Sequence, residues 1–201
     1  MGDLSAHSLL TPLLLTHLCL FRQLNLTKSD LCGVWVEYGT QKGEYNAEGI
    51  NAIADALRVN GGLTVANLLG NQLDAESAKM LAEVAKQKGV SLCGIQRDQT
   101  TADFSHSLLE PPDAILLASD LSQAVVTGAL TKLSLANNQL EEEGTKAICE
   151  ALEQNRTLKE LDISGAKYRS YIVGSAGAKH LAKMLGVNGG LTKMRYVSPQ
   201  T

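Results

Sequence analysis

The chain has 201 residues, of which 44% are hydrophobic and 19% are charged, a composition typical of one folded domain and not of a disordered or fibrous chain. The formal net charge is −3, so no strong positive field would draw the protein to nucleic acid or to anionic lipid. Aromatic residues make up only 4%, so the core must consist mainly of aliphatic side chains.

The N-terminal segment is rich in leucine between residues 9 and 21. The stretch before it contains Asp3 and no Lys or Arg, whereas a secretory signal begins with basic residues. Pro12 and His17 interrupt the apolar run, which is too short to cross a membrane. We therefore expect an intracellular, cytoplasmic protein without membrane insertion, in which residues 1–20 form an N-terminal cap.

An internal repeat follows the N-terminal segment. Residues 57–64 read LRVNGGLT and residues 185–192 read LGVNGGLT. Alignment on the shared Leu shows the pattern L-x-x-L-x-L-x-x-N-x-L, which residues 130–140, LTKLSLANNQL, match at every specified place. Counted in chain order, copies of the pattern start near 21, 63, 99, 130, 158 and 191, and those at 99 and 191 are degenerate. We expect residues 21–201 to form one repeat domain.

Each copy predicts a short strand followed by a helix. The apolar places 4 and 6 alternate as in a strand with one buried side, and the Asn at place 9 can bond the backbone where the chain leaves the sheet. Apolar residues at helical spacing predict helices over 49–57, 77–85 and 144–152. Helix starts are indicated at Asn46, Asp74 and Pro111.

This unit, a strand and a full helix in 28 residues at its cleanest, resembles the repeat of the ribonuclease-inhibitor-like leucine-rich-repeat family. The resemblance implies an α/β solenoid of about five to six repeats. Its parallel strands would line the concave face of a curved horseshoe, with the helices on the convex face. Three segments exceed the clean unit and are expected to be insertions: residues 32–46, 88–98 and 167–173.

The sequence contains no motif that indicates catalysis. P-loop, GxGxxG, HxxxH and Gly-x-Ser-x-Gly patterns are all absent. The four cysteines are far apart, without a CxxC pair, and are expected to be reduced core thiols. We therefore expect a protein that is not an enzyme, with no catalytic residue, no cofactor and no metal site.

A protein-protein interaction module is the favoured function. If places 4 and 6 face the core, neighbouring places point out of the sheet and line the concave face. The candidate partner-binding residues at those places are Asn67, Asp103, Lys132, Ser134, Glu160, Asp162, Lys193 and Arg195. The alternative for each of them is an ordinary solvated side chain.

The insertion at 32–46 is the competing candidate contact. It contains Trp35, Tyr38 and Tyr45, and these residue types dominate binding hot spots. The alternative is a small lid folded onto the first repeat. As a hypothesis, alanine at Trp35 and Tyr38 should weaken partner binding more than alanine at Lys132 and Glu160.

Two other functions stay open at this point. The chain could be a structural subunit of a larger assembly that uses an open end of the solenoid. More remotely, GTPase-activating proteins for the nuclear-transport GTPase use the same repeat class, although no motif of theirs can be matched here. We expect a protein partner and no nucleic acid. The sequence specifies neither the partner's identity nor the oligomeric state.

Overall fold

The computed structural model describes residues 22–38, 40–165 and 175–196. Within these ranges the chain forms eight strands and six helices. The strands are β1 (Gln23–Asn25), β2 (Val34–Glu37), β3 (Thr40–Gly43), β4 (Val65–Asn67), β5 (Thr101–Asp103), β6 (Lys132–Ser134), β7 (Glu160–Asp162) and β8 (Lys193–Arg195). The helices are α1 (Glu48–Val59), α2 (Ala75–Lys88), α3 (Pro111–Leu121), α4 (Ala124–Thr127), α5 (Glu141–Gln154) and α6 (Ser175–Val187). The expected N-terminal cap, residues 1–20, and the expected third insertion, 167–173, lie outside the described residues.

The three helices predicted from apolar spacing are confirmed. Residues 49–57, 77–85 and 144–152 lie within α1, α2 and α5 respectively. The predicted start at Asp74 is also confirmed, because its carboxylate accepts a hydrogen bond from the Ser77 backbone N–H at 2.7 Å. The helix that it caps ends at Gly89, whose φ of 65° is a left-handed conformation that glycine adopts without strain. Local signals were thus sufficient to place these helices.

A four-stranded parallel sheet in the order β5-β6-β7-β8 is the largest sheet. Its central residues stand in one row across the strands: Ala102, Leu133, Leu161 and Met194. The first three are at most 2% exposed and join the hydrophobic core, and Met194 packs against it. Helices α3, α5 and α6 pack side by side on that core. The residues on either side of each central residue therefore point away from the core.

The predicted solenoid, a curved horseshoe whose parallel strands all line one concave face, was wrong. The parallel strands of the described chain form two separate sheets, β1-β4 and β5-β6-β7-β8. Strands β2 and β3 form a third sheet, which is antiparallel. What the structure supports is a mixed α/β architecture in which the four-stranded parallel sheet is the principal element.

The two parallel sheets are separated by the segment 90–95. Backbone bonds tie this segment to β4: the Ala66 N–H donates to the Ser91 carbonyl at 2.7 Å, and the Leu68 N–H to the Leu92 carbonyl at 3.0 Å. β4 therefore has no edge left for β5. The segment's apolar side chains are buried, so the middle of the expected insertion at 88–98 is part of the core, whereas Lys88, Arg97 and Asp98 are exposed.

A buried carboxylate accepts hydrogen bonds from the same segment, 90–95. Asp120 of α3 is fully buried and accepts hydrogen bonds from the backbone N–H groups of Leu92, at 2.9 Å, and Cys93, at 3.1 Å. It also accepts one from the Ser91 hydroxyl at 2.7 Å. These donors would otherwise be buried without a strand partner, so a helix side chain takes the role of a neighbouring strand.

Two buried asparagines hold the turns that follow the strands, as the repeat pattern predicts for place 9. The Asn71 amide donates to the Leu26 and Leu68 carbonyls, and its oxygen accepts from the Ser29 N–H. Asn138 makes the corresponding bonds between the turns that follow β5 and β6. Its amide donates to the Phe104 and Leu135 carbonyls, and its oxygen accepts from the Ser107 and Leu109 N–H groups. Each asparagine thereby satisfies backbone groups of two successive strand ends.

Candidate interaction surface

The outward residues of the four-stranded sheet form two rows across the strands. In one row Lys132, Glu160 and Lys193 are in register, and Thr101 continues it on β5. The other row is Asp103, Ser134, Asp162 and Arg195. Seven of the eight sheet residues predicted as partner contacts stand in these rows. They are named here the polar sheet face: Asp103, Lys132, Ser134, Glu160, Asp162, Lys193 and Arg195.

These residues, together with Leu133 and Leu161, line one shallow concavity of 240 Å³. Neighbouring strands of a sheet are about 4.8 Å apart, so four strands present a surface about 14 Å across. The separation between the two rows is two residues along each strand, or about 7 Å. The sheet thus presents a compact polar surface assembled from residues up to 92 positions apart in sequence.

Ion pairs run along both rows. Glu160 lies between two lysines, with its carboxylate 3.2 Å from Lys193 Nζ and 3.9 Å from Lys132 Nζ. In the second row a guanidinium nitrogen of Arg195 lies 3.2 Å from the Asp162 carboxylate. All three basic side chains are more than half exposed. Exposed pairs of this kind contribute about 0–1 kcal/mol each, so these side chains can exchange partners at little cost.

Two carboxylates of the second row also serve the fold. Asp103 accepts a hydrogen bond from the Ser105 N–H at 2.9 Å, and Asp162 accepts one from the Ser164 N–H at 3.0 Å. Bonds to Ser105, first from its hydroxyl and then from its backbone N–H, hold the pKa of Asp103 below its usual value. Asp103 is therefore an anion at neutral pH.

Asn67 is the predicted sheet contact that the structure places elsewhere. It belongs to β4, in the two-stranded sheet, and is half-buried. Its side-chain oxygen accepts from the Leu69 N–H at 3.2 Å, and its amide packs against Gly94, within the segment 90–95 that separates the two sheets. Asn67 is thus not part of the polar sheet face.

The first insertion folds as the β2-β3 hairpin and carries the three predicted aromatic contacts. Tyr38 is fully exposed at the turn, and Trp35 is 44% exposed with its ring lying across Gly43. Tyr45 has a structural contact, because its hydroxyl lies 2.8 Å from the Ser77 hydroxyl at the start of α2. The hairpin therefore offers Trp35 and Tyr38 as exposed aromatic side chains.

A second concavity, of 420 Å³, was not predicted from the sequence. It lies between α2 and α5, and its floor includes Ile115 and Ala118 of the shorter helix α3. Lys79 and Glu143 form an ion pair across it at 3.3 Å. Helix α3 has 11 residues, whereas α2 and α5 each have 14. The spacing of apolar residues within one helix does not show how neighbouring helices differ in length.

The described ranges contain neither a metal-binding cluster nor a membrane-spanning helix. There, no group of three or more His, Cys, Asp or Glu side chains could hold a metal ion. The cysteines at 32, 93 and 149 are free and buried, and burial raises the pKa of the Cys149 thiol to about 12. No helix in the same ranges is both long and apolar enough to cross a membrane.

Comparisons with known proteins do not assign the chain to a family. No protein-family model matches it, and no curated protein matches it. Solved structures that match include the actin-binding site 2 of leiomodin-1, at 19% identity and a TM-score of 0.38. That match covers 92% of this chain and 78% of the leiomodin chain. The resemblance to leucine-rich-repeat proteins thus stays a prediction.

Proposed function

We propose that the protein binds another protein through the polar sheet face. The observation that carries this proposal is the register of β5 to β8, which assembles seven polar residues into one concavity. Strand register fixes their backbone positions, and the core holds the strands in place. A surface of this kind can recognise a partner without reorganising its backbone, which reduces the entropy lost on binding.

The charges of the two rows indicate what such a partner presents. Two lysines and one glutamate give the first row a net charge of +1, and two aspartates and one arginine give the second row −1. A complementary partner places an acidic group over the lysine row and a basic group about 7 Å away, over the aspartate row. Such complementarity selects the partner and its orientation more than it adds affinity.

A second candidate contact is the β2-β3 hairpin. Tyr38 is fully exposed at its tip, and Trp35 is 44% exposed on the same hairpin. Large aromatic side chains supply contact area at low cost in conformational entropy, which makes them frequent anchors in interfaces. We propose the hairpin as a separate anchor whose contribution can be measured independently of the sheet.

Affinity capture of the tagged full chain tests the proposal. The test variant is Lys132→Glu/Lys193→Glu, which reverses the basic side chains of the first row. Its matched control is Lys88→Glu/Lys179→Glu, which makes the same charge change at two exposed lysines of α2 and α6. We expect proteins captured by the natural chain to be kept by the control and depleted at least about tenfold by the test variant, the loss that about 1.4 kcal/mol of binding energy would cause.

Three outcomes distinguish the candidates. If the test variant captures the same proteins as the control, binding through the polar sheet face is wrong. The hairpin is examined with Trp35→Ala/Tyr38→Ala against Lys132→Ala/Glu160→Ala. Loss from the aromatic pair alone would make the hairpin the principal contact, and loss from the sheet pair alone would remove it as an anchor.

A further inference from the structure

An apolar concavity lies between β1 and α1, where the described chain begins. It has a volume of 330 Å³, and Leu24 of β1 is 39% exposed beside it. We call its lining residues the β1 face: Gln23, Leu24, Ile53, Ala56, Leu57, Asn60 and Leu63. Within the described residues β1 pairs only with β4, so this edge of the sheet is also without a neighbour. The β1 face therefore has the composition of a core surface without a layer packed on it.

Three asparagines at helix ends give a second, independent indication that a further segment packs beside β1. Asn155 and Asn188 each use the side-chain oxygen to accept backbone N–H groups two and three residues ahead. Each also donates its amide hydrogens backwards. Asn155 donates to the Leu121 carbonyl at the end of α3, and Asn188 to the carbonyls of Leu152 and Asn155 at the end of α5. Each of these side-chain amides thus connects the end of its own helix to the end of a preceding helix.

Asn60, at the end of α1, has the first half of this arrangement without the second. Its oxygen accepts from the Gly62 and Leu63 N–H groups, both at 2.8 Å. Among residues 22–38, 40–165 and 175–196 its amide nitrogen donates to no carbonyl, and Asn60 is half-buried where it lines the β1 face. The corresponding acceptor would be a carbonyl of the chain that precedes β1.

We propose that residues 9–18 of this same chain cover the β1 face. The segment contains six leucines at positions 9, 10, 13, 14, 15 and 18, and no Asp, Glu, Lys or Arg. His17 is its only titratable side chain, so its burial removes mainly apolar surface from water. Leu18 is five residues before Gln23, and five residues span at most about 18 Å. The segment is thus tethered beside the surface that it covers.

The three asparagines also share their distance from the strand that follows. Asn60, Asn155 and Asn188 each stand five residues before the first residue of a strand: Val65, Glu160 and Lys193. The position five residues before β1 is Leu18. Asn188 bonds the carbonyl of the corresponding residue in the preceding unit and the carbonyl three residues before it. Asn155 bonds the Leu121 carbonyl instead, so the shared feature is a backbone acceptor in a preceding segment, which for Asn60 would be the chain before β1.

Photo-cross-linking in the full chain tests this inference. Benzoylphenylalanine replaces Ala56, which lines the β1 face, and as a control Arg58, which lies about 200° away around α1. We expect the probe at 56 to cross-link residues 9–18 of its own chain and the probe at 58 not to do so. Cross-links between isotopically light and heavy chains would show a second copy on the face and overturn the proposal, as would no cross-link to 9–18.

The hydrogen bond has its own test. Asn60→Asp keeps the accepting oxygen but removes the amide donor, and Asn155→Asp is the matched change where the acceptor is visible. We expect both variants to lower the thermal unfolding midpoint by similar amounts. A midpoint unchanged by Asn60→Asp but lowered by Asn155→Asp would show that nothing accepts from Asn60. Neither test depends on the polar sheet face, so the two proposals can fail separately.

Discussion

Asp120 is the residue whose environment departs most from that of an ordinary carboxylate. Desolvation raises its pKa from 3.8 to about 6, against the opposing effect of the hydrogen bonds from Leu92, Ser91 and Cys93. Between these pH values the folded state holds a proton that the unfolded state has released. The free energy of unfolding therefore falls as pH rises through this window, and the contribution of the protonated form is lost above about pH 6.

Substitution of Asp120 by Asn should remove this pH dependence. The amide cannot supply both accepting oxygens, so we expect Asp120→Asn to be less stable throughout. Its deficit relative to the natural chain should shrink by about 2 kcal/mol between about pH 4.5 and about pH 7. Urea unfolding at several pH values measures this. Asp98→Asn, the same change at an exposed position, is the control, and a deficit of Asp120→Asn that stays constant would contradict the raised pKa.

At the scale of the element, the β2-β3 hairpin depends on Gly43. Its φ is 83°, and a Cβ there would collide with the Gly33 carbonyl oxygen of the opposite strand and with the Trp35 ring. Neither the conformation nor the space suits a side chain. The hairpin's geometry is therefore sensitive to a single added methyl group.

Gly43→Ala should open the hairpin while leaving the parallel sheets folded. Trp35 is the only tryptophan, so its fluorescence reports on this element alone. We expect its emission to shift to longer wavelength as the ring loses the backbone of Gly43, with far-ultraviolet circular dichroism little changed. The control is Gly61→Ala, where no atom lies within 4 Å of the added carbon. Equal emission from the natural chain and Gly43→Ala would show that the ring does not rest on this position.

The elements also show how far sequence patterns reach. Helices α1, α2 and α5 were predictable because their apolar spacing and their N-terminal signals, such as Asp74, are local. The break between the parallel sheets was not, because it depends on the edge of β4 being taken by the segment 90–95. The periodicity within a segment does not specify which of two segments pairs with that edge.

At the scale of the whole molecule, register brings the candidate surface together. Alternation along each strand predicted that seven of the polar sheet residues point outward, and the pairing of β5 to β8 places them in two rows. Asn67 was misplaced for the same reason that the continuous sheet was wrong, because β4 belongs to a different sheet. Strand alternation predicts which way a side chain points, whereas strand pairing decides which side chains are neighbours.

The most direct measurement for the central claim is the dissociation constant between the full chain and a purified captured protein, determined by calorimetry. Binding through the polar sheet face predicts that Lys132→Glu/Lys193→Glu raises this constant at least about tenfold, or about 1.4 kcal/mol, because the reversed charges repel the acidic groups of the partner. The same account predicts a constant within about twofold of the natural chain for Lys88→Glu/Lys179→Glu. Equal constants for all three proteins would contradict it.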